Sequence, residues 1–156
     1  MRALRWFSIA VAIAALFAPA AHVLEMPNKL HMDGPLWLQV QQQLYRGWGP
    51  FIGAPTEIAG VVVNALLVFD RSSDVSHRRL RGLVACLYLA MIIVFFVFNA
   101  PVNAAVGAWS AATLPANWAD FRSRWELGHA LAALLALISL LLVLRMAAAS
   151  TTNSRA

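Results

Sequence analysis

The sequence predicts an all-α protein: a four-helix transmembrane bundle with a short interfacial amphipathic helix between helices 1 and 2. Three observations carry this prediction. The 156-residue chain is 61% hydrophobic and only 12% charged, about half the charge of an ordinary soluble domain, roughly 25%. Its apolar residues are gathered into four long blocks rather than scattered at core spacing. Its turn-forming and charged residues lie mostly in the joins between blocks. The length suits one domain. Helices are expected at about 5–25, 51–69, 80–99 and 117–145, in a domain over 1–146 with a flexible tail over 147–156.

The first block, Trp6 to Leu24, follows Arg2 and Arg5 and has about 19 residues, enough to cross a roughly 30 Å hydrocarbon core. Ala18-Pro19-Ala20 resembles a signal-peptide cleavage site, but signal h-regions are shorter, ~7–15 residues. The block is therefore read as a retained helix. Pro27 is expected to end it, because a helix interior does not tolerate proline. Asp33-Gly34-Pro35 then marks a turn. A short helix over Pro35 to Tyr45 places Trp37, Val40, Gln41 and Leu44 on one face, and with Trp48 nearby it belongs at the membrane–water boundary.

The second block is Phe51 to Phe69, with Glu57 in its first turn beside Pro55. A short charged join, Asp70 to Arg81, leads into the third block, Leu80 to Phe98, which Pro101 should bend or end. Ala104 to Leu114 reads as weakly structured, at most a helical extension. Asn117 is the expected N-cap of the fourth helix. The lone Cys86 lies in an apolar block, where a cysteine is usually a small buried filler. There is no Gly-rich phosphate loop and no zinc-type cysteine spacing.

Four spans put both termini on one side. The N-terminus, the Asp70–Arg81 join and the tail hold eight of the twelve Lys and Arg residues. The positive-inside rule then places both termini in the cytoplasm of a bacterial inner (plasma) membrane, and explains the net charge of +5 without nucleic acid. Membrane lipids and a lipophilic small molecule are the expected partners, and a homo-oligomer is left open.

Polar residues converge on the opposite membrane face. His22 and Glu25 come from helix 1, Glu57 from helix 2, Asn99 and Asn103 from helix 3, and Glu126 and His129 from helix 4. Ionisable groups at bundle depth are costly and usually face the interior or a wet cavity. Helix bundles build di-metal sites from inward Glu residues and Glu-x-x-His pairs. Glu126-x-x-His129 matches that pair, His22-x-x-Glu25 reverses it, and Glu57 offers another carboxylate. His22, Glu25, Glu57, Glu126 and His129 are thus the candidate ligands for iron, zinc, copper or manganese. Each also has an ordinary reading. Glu126 follows Ser123 at capping-box spacing, Glu57 suits a helix dipole, and His22, Lys29 and Arg46 fit a solvated interface. The tryptophans read as an interfacial belt rather than a stacking site.

The string Pro101-Val-Asn103, the Pro115–Trp118 join and Arg122-Ser-Arg124-Trp125-Glu126-Leu-Gly-His129 together resemble the anthrone-oxygenase-like family of small four-helix membrane proteins. Leu24 to Leu30 and the Tyr45–Trp48 turn resemble its bacterial branch. The likeness spans about Ala21 to Leu144. It implies oxidation of a lipophilic aromatic compound, such as an anthrone or quinone precursor, by dioxygen. It implies motif roles for Asn103, Arg124, Trp125, Glu126 and His129.

Two mechanisms suit those residues. In one, Glu126 or His129 acts as general base while Arg124 and Asn103 stabilise a developing oxyanion. In the other, a bound metal activates dioxygen or the substrate. A non-catalytic membrane accessory protein is the rival reading. A metal-handling or transport protein ranks last, since no paired broken helices are evident.

Overall fold

Five helices organise the described residues. The structure, a computed structural model, describes residues 1–152, with side chains as far as residue 149. Helix α1 is Arg2–Leu30 and α2 is Gly34–Gln43. Helix α3 is Gly49–Val68, α4 is Val75–Ala108 and α5 is Trp118–Thr152. All but α2 are long and apolar enough to cross a membrane. Helix α1 packs on α3 and α5, and α4 packs on the same two helices, so the four long helices close a ring.

Pro27 does not end α1, which carries both Pro19 and Pro27 and continues to Leu30. A helix-interior proline costs ~3 kcal/mol, but here it sits in the last turns, and neighbouring groups satisfy the backbone around it. His31 Nδ1 lies 2.7 Å from the Pro27 carbonyl oxygen, and Arg122 Nη1 donates to the carbonyls of Lys29 and Met32 at 3.1 and 3.0 Å. These carbonyls are the groups a helix C-terminus leaves without partners.

Asp33 caps α2 by accepting from the Leu36 N–H at 2.9 Å. The face it buries is Gly34, Trp37, Leu38 and Gln41, and Leu44, expected on the inner face, is exposed. Gly47 turns the chain with φ 88°, the left-handed region that favours glycine.

Pro101 does not end α4 either. The helix loosens into a π turn over Phe95–Asn99 and runs on to Ala108. Proline removes the N–H that would meet the carbonyl four residues earlier, here Val97, and Arg124 Nη2 donates to that oxygen at 2.6 Å. Helix α5 continues past Arg145 to Thr152, so the flexible tail expected from residue 147 begins as helix. Residues 153–156 lie outside the described residues.

The main core is Ala15, Val84, Tyr88, Met91, Ala132, Ala136, Val143 and Met146. Small residues let helices approach closely where lipid offers no hydrophobic drive. Gly60 is one such case: a Cβ there would sit 2.6 Å from the Tyr88 ring. The outward faces carry Phe17, Leu24, Phe51 and Phe96, all exposed, and Cys86 is exposed among them instead of buried. Four helices cannot enclose their outer surfaces, and lipid covers those.

At the end where α1 begins, Arg5 ties α1 to the α3–α4 join. Its Nε and Nη2 donate to Asp70 Oδ2 at 3.1 and 2.6 Å, and Nη2 also reaches the Ser72 and Ser73 hydroxyls. Burial alone would raise the Asp70 carboxyl. Hydrogen bonds from Ser72 and Arg5 outweigh it and hold the group at about 2, below its ordinary 3.8. A depressed folded value means the stabilisation is complete above pH 3.8 and is lost as pH falls through 2. Thermal unfolding in detergent between pH 4 and pH 2 should therefore lose more stability in the parent than in Asp70→Asn. Parallel losses would show that this link contributes nothing.

Candidate membrane-embedded active site

Because α1 runs through Pro27, His22, Glu25 and Lys29 fall three and four residues apart on one helix face. That face meets Arg122, Trp125, Glu126 and His129 of α5, spaced the same way. Tyr45 and Trp48, from the turn between α2 and α3, close the group.

At its centre is an ion pair. Lys29 is 1% exposed and Glu126 3%. The Lys29 Nζ lies 3.0 Å from both carboxylate oxygens and donates to Oε2. It also sits 4.7 Å from the Trp125 ring centroid and 5.5 Å from that of Tyr45, within cation–π range. Removing two charges from water is tolerable only when each neutralises the other at close range, and here aromatic faces add to that.

Beside the pair are two histidine rings, His22 and His129, with centroids 4.1 Å apart. His22 is 2% exposed. Its ring meets Tyr45 and Trp125 edge-on at 4.5 and 4.7 Å, and Trp48 tilts over it at 5.3 Å. His22 Nδ1 is buried without a hydrogen-bond partner, and its nearest carboxylate oxygen, on Glu25, is 3.9 Å away. Glu25 accepts instead from the Tyr45 hydroxyl. Burial first, then that bond and the Glu25 charge, push the Tyr45 phenol above its ordinary value, so it stays a donor.

The wall behind the site is held by α4. Asn103 Oδ1 accepts from Trp125 Nε1 at 2.9 Å, and Asn99 Nδ2 donates to the Trp125 carbonyl at 3.0 Å. Asn99 reaches α5 because Gly128 has no side chain; a Cβ there would overlap the Asn99 amide.

The structure thus brings His22, Glu25, Glu126 and His129 together. It does not bring Glu57 or Arg124 into that group. Glu57 is half-buried on α3 and makes no hydrogen bond or ion pair among the described residues. Arg124 is exposed and bonds the Val97 carbonyl. Asn103 is exposed and acts on the site through Trp125. Ser123 bonds the Ala119 carbonyl inside α5, so it forms no capping box with Glu126. Among the described residues, no three His, Cys, Asp or Glu side chains form a group able to hold a metal ion. Two of the five expected ligands, Glu126 and Glu25, are bound to Lys29 and Tyr45 instead.

Lys29 is the residue that sequence reasoning placed wrongly, at a solvated interface. The assumed stop at Pro27 hid it. The signal was present in the seven-residue spacing of His22 and Lys29, two helical turns on one face. Trp125 is likewise a packing partner of both histidines, not part of a belt alone. No protein-family model, curated protein or solved structure matches this chain.

Proposed function

We propose that the chain is an integral-membrane oxidoreductase of oxygenase type, acting on a lipophilic aromatic compound such as an anthrone or quinone precursor. The observation that carries the reading is the unpartnered, buried Nδ1 of His22 in an aromatic box beside the Lys29–Glu126 pair. A buried polar atom without a partner is rare and calls for an explanation. A substrate O–H or acidic C–H supplies one.

In this mechanism an aromatic substrate enters from the bilayer and lies against Trp48, Tyr45 and Trp125. His22 Nδ1 takes the proton, as general base, and His129 supports the ring from behind. The charge left on the substrate oxygen is stabilised by the Lys29 ammonium, whose counter-ion Glu126 keeps the pair neutral before reaction. Lys29 thereby takes the oxyanion role expected of Arg124 and Asn103. For an activated methylene the balance is one CH2 and one dioxygen giving one ketone and one water. Among the described residues no three of these donors group closely enough to hold a metal ion, so no step is routed through one. By the positive-inside rule the site faces away from the cytoplasm, in a bacterial inner membrane with cytoplasmic termini.

The test is conversion of an anthrone by purified protein in detergent, read as dioxygen uptake and ketone formation. The parent should turn over, while His22→Ala and Lys29→Met should each fall at least ~10²-fold, the usual contribution of a general base or oxyanion donor. Folded variants that match the parent, or an inert parent, would remove the reading. A non-catalytic accessory protein would then be favoured by a specific observation. Asn103, Arg122 and Arg124 all spend their side chains joining one element to another.

A further inference from the structure

At the opposite end of the bundle a second buried cation has no carboxylate partner. Arg81, on α4, is 7% exposed. Its Nη1 donates to the Ser8 hydroxyl on α1 at 2.8 Å and to Asn64 Oδ1 on α3 at 2.9 Å. Both acceptors are neutral, and Ser8 and Asn64 are themselves bonded at 3.1 Å. The nearby acid, Asp70, is taken by Arg5 and Ser72. Arg5, Asp70 and Arg81 therefore leave one positive charge uncompensated inside this cluster. A buried charge is normally paired, and neutral oxygens offset only part of its desolvation.

The rest of the guanidinium is available. Neither Nε nor Nη2 of Arg81 donates to a described protein group, and neither is sealed from solvent. Around this cluster the same end carries Arg2, Arg71, Arg78 and Arg79, against a single further acid, Asp74. A planar guanidinium with two free donors, held rigid by Ser8 and Asn64, suits two oxygens of one phosphate.

We propose that Arg81, with Arg5 beside it, forms a site for the phosphate of one anionic phospholipid where α1 and α4 meet the α3–α4 join. The charge complementarity is to the negative membrane surface against which this end lies. The apolar outer faces of α1 and α4 then take the acyl chains. The site is independent of the chemistry proposed at the other end. It adds one ordered lipid per chain to the fold.

The experiment is a thermal-unfolding titration of the full chain in a neutral detergent, with phosphatidylglycerol, phosphatidylcholine or inorganic phosphate added, beside native mass spectrometry. The site predicts a saturable rise in the unfolding temperature with phosphatidylglycerol alone and a bound stoichiometry of one. Arg81→Gln should abolish the shift, while Arg79→Gln, on the exposed surface, should retain it. Arg81→Lys keeps the charge but not the fork, and should weaken binding about tenfold or more. If Arg81→Gln does not fold, the Arg81→Lys and Arg79→Gln pair still decides. Equal stabilisation by inorganic phosphate would replace the lipid by a free anion. A shift that tracks total charge equally in all variants, or no shift in the parent, would overturn the site.

Discussion

Lys29→Met and Glu126→Leu should each destabilise the protein by about 3–5 kcal/mol, while the double variant returns to within about 1–2 kcal/mol of the parent. Each single change leaves one charge at 1–3% exposure without its hydrogen-bonded counter-ion. The double change removes both charges and replaces them with apolar groups in an apolar bundle. Denaturation of all four proteins in one detergent gives the coupling directly. Additive losses would mean the pair is solvated, and would dissolve the account of the site built on it. The same double variant separates stability from chemistry. It should fold as the parent does and still fail to convert substrate, because no ammonium remains to meet an oxyanion. A fully active double variant would leave the structural role of the pair intact and end its catalytic one.

Gly128→Ala should be the most damaging single-atom change in the bundle. The added Cβ would overlap the Asn99 side-chain amide and press on Phe98 Cβ. Neither can withdraw easily. Asn99 is 2% exposed and donates to the Trp125 carbonyl, and Phe98 Cβ is fixed by its own backbone in the π turn. Overpacking of this kind costs about 1–3 kcal/mol. Here it also moves Trp125, which packs on His22, His129 and Lys29. Turnover should therefore fall more than stability does. Gly107→Ala is the control, since nothing lies within 4 Å of a Cβ there. Alanine is the better helix former by about 0.8–1 kcal/mol, so that variant should be neutral or slightly more stable. If Gly128→Ala behaves like Gly107→Ala, α4 and α5 are not held at the distance described.

Much of the fold was legible because the membrane imposes one rule. Backbone groups in hydrocarbon must bond within their own segment, so a long apolar block is a helix whatever its neighbours. Block length and the sparsity of charge were enough to count four spans. The prolines misled for a complementary reason. Their cost is local and visible in sequence, whereas its compensation is tertiary. Arg122 closes the carbonyls at the end of α1, and Arg124 meets the carbonyl that Pro101 leaves open on α4. Arg124 reads in sequence as a donor to an oxyanion, and in the folded chain both arginines bond backbone.

The candidate site divides along the same line. Spacing alone put Glu126 and His129 on one face of a helix, and His22 and Glu25 on one face of another. It also showed that all four lie near the same membrane surface. What the sequence by itself determined is therefore the inventory and depth of the polar residues, since helical period and span length follow from local geometry. Which partner each one takes was decided only by tertiary structure. Lys29 claims Glu126, Tyr45 claims Glu25, and the two histidine rings are left tilted against each other among indole rings. A carboxylate at the same depth will take a metal, a lysine or a phenol according to which donor lies within about 3 Å. That distance is set by how α1, α4 and α5 pack, not by the order of residues along any one of them.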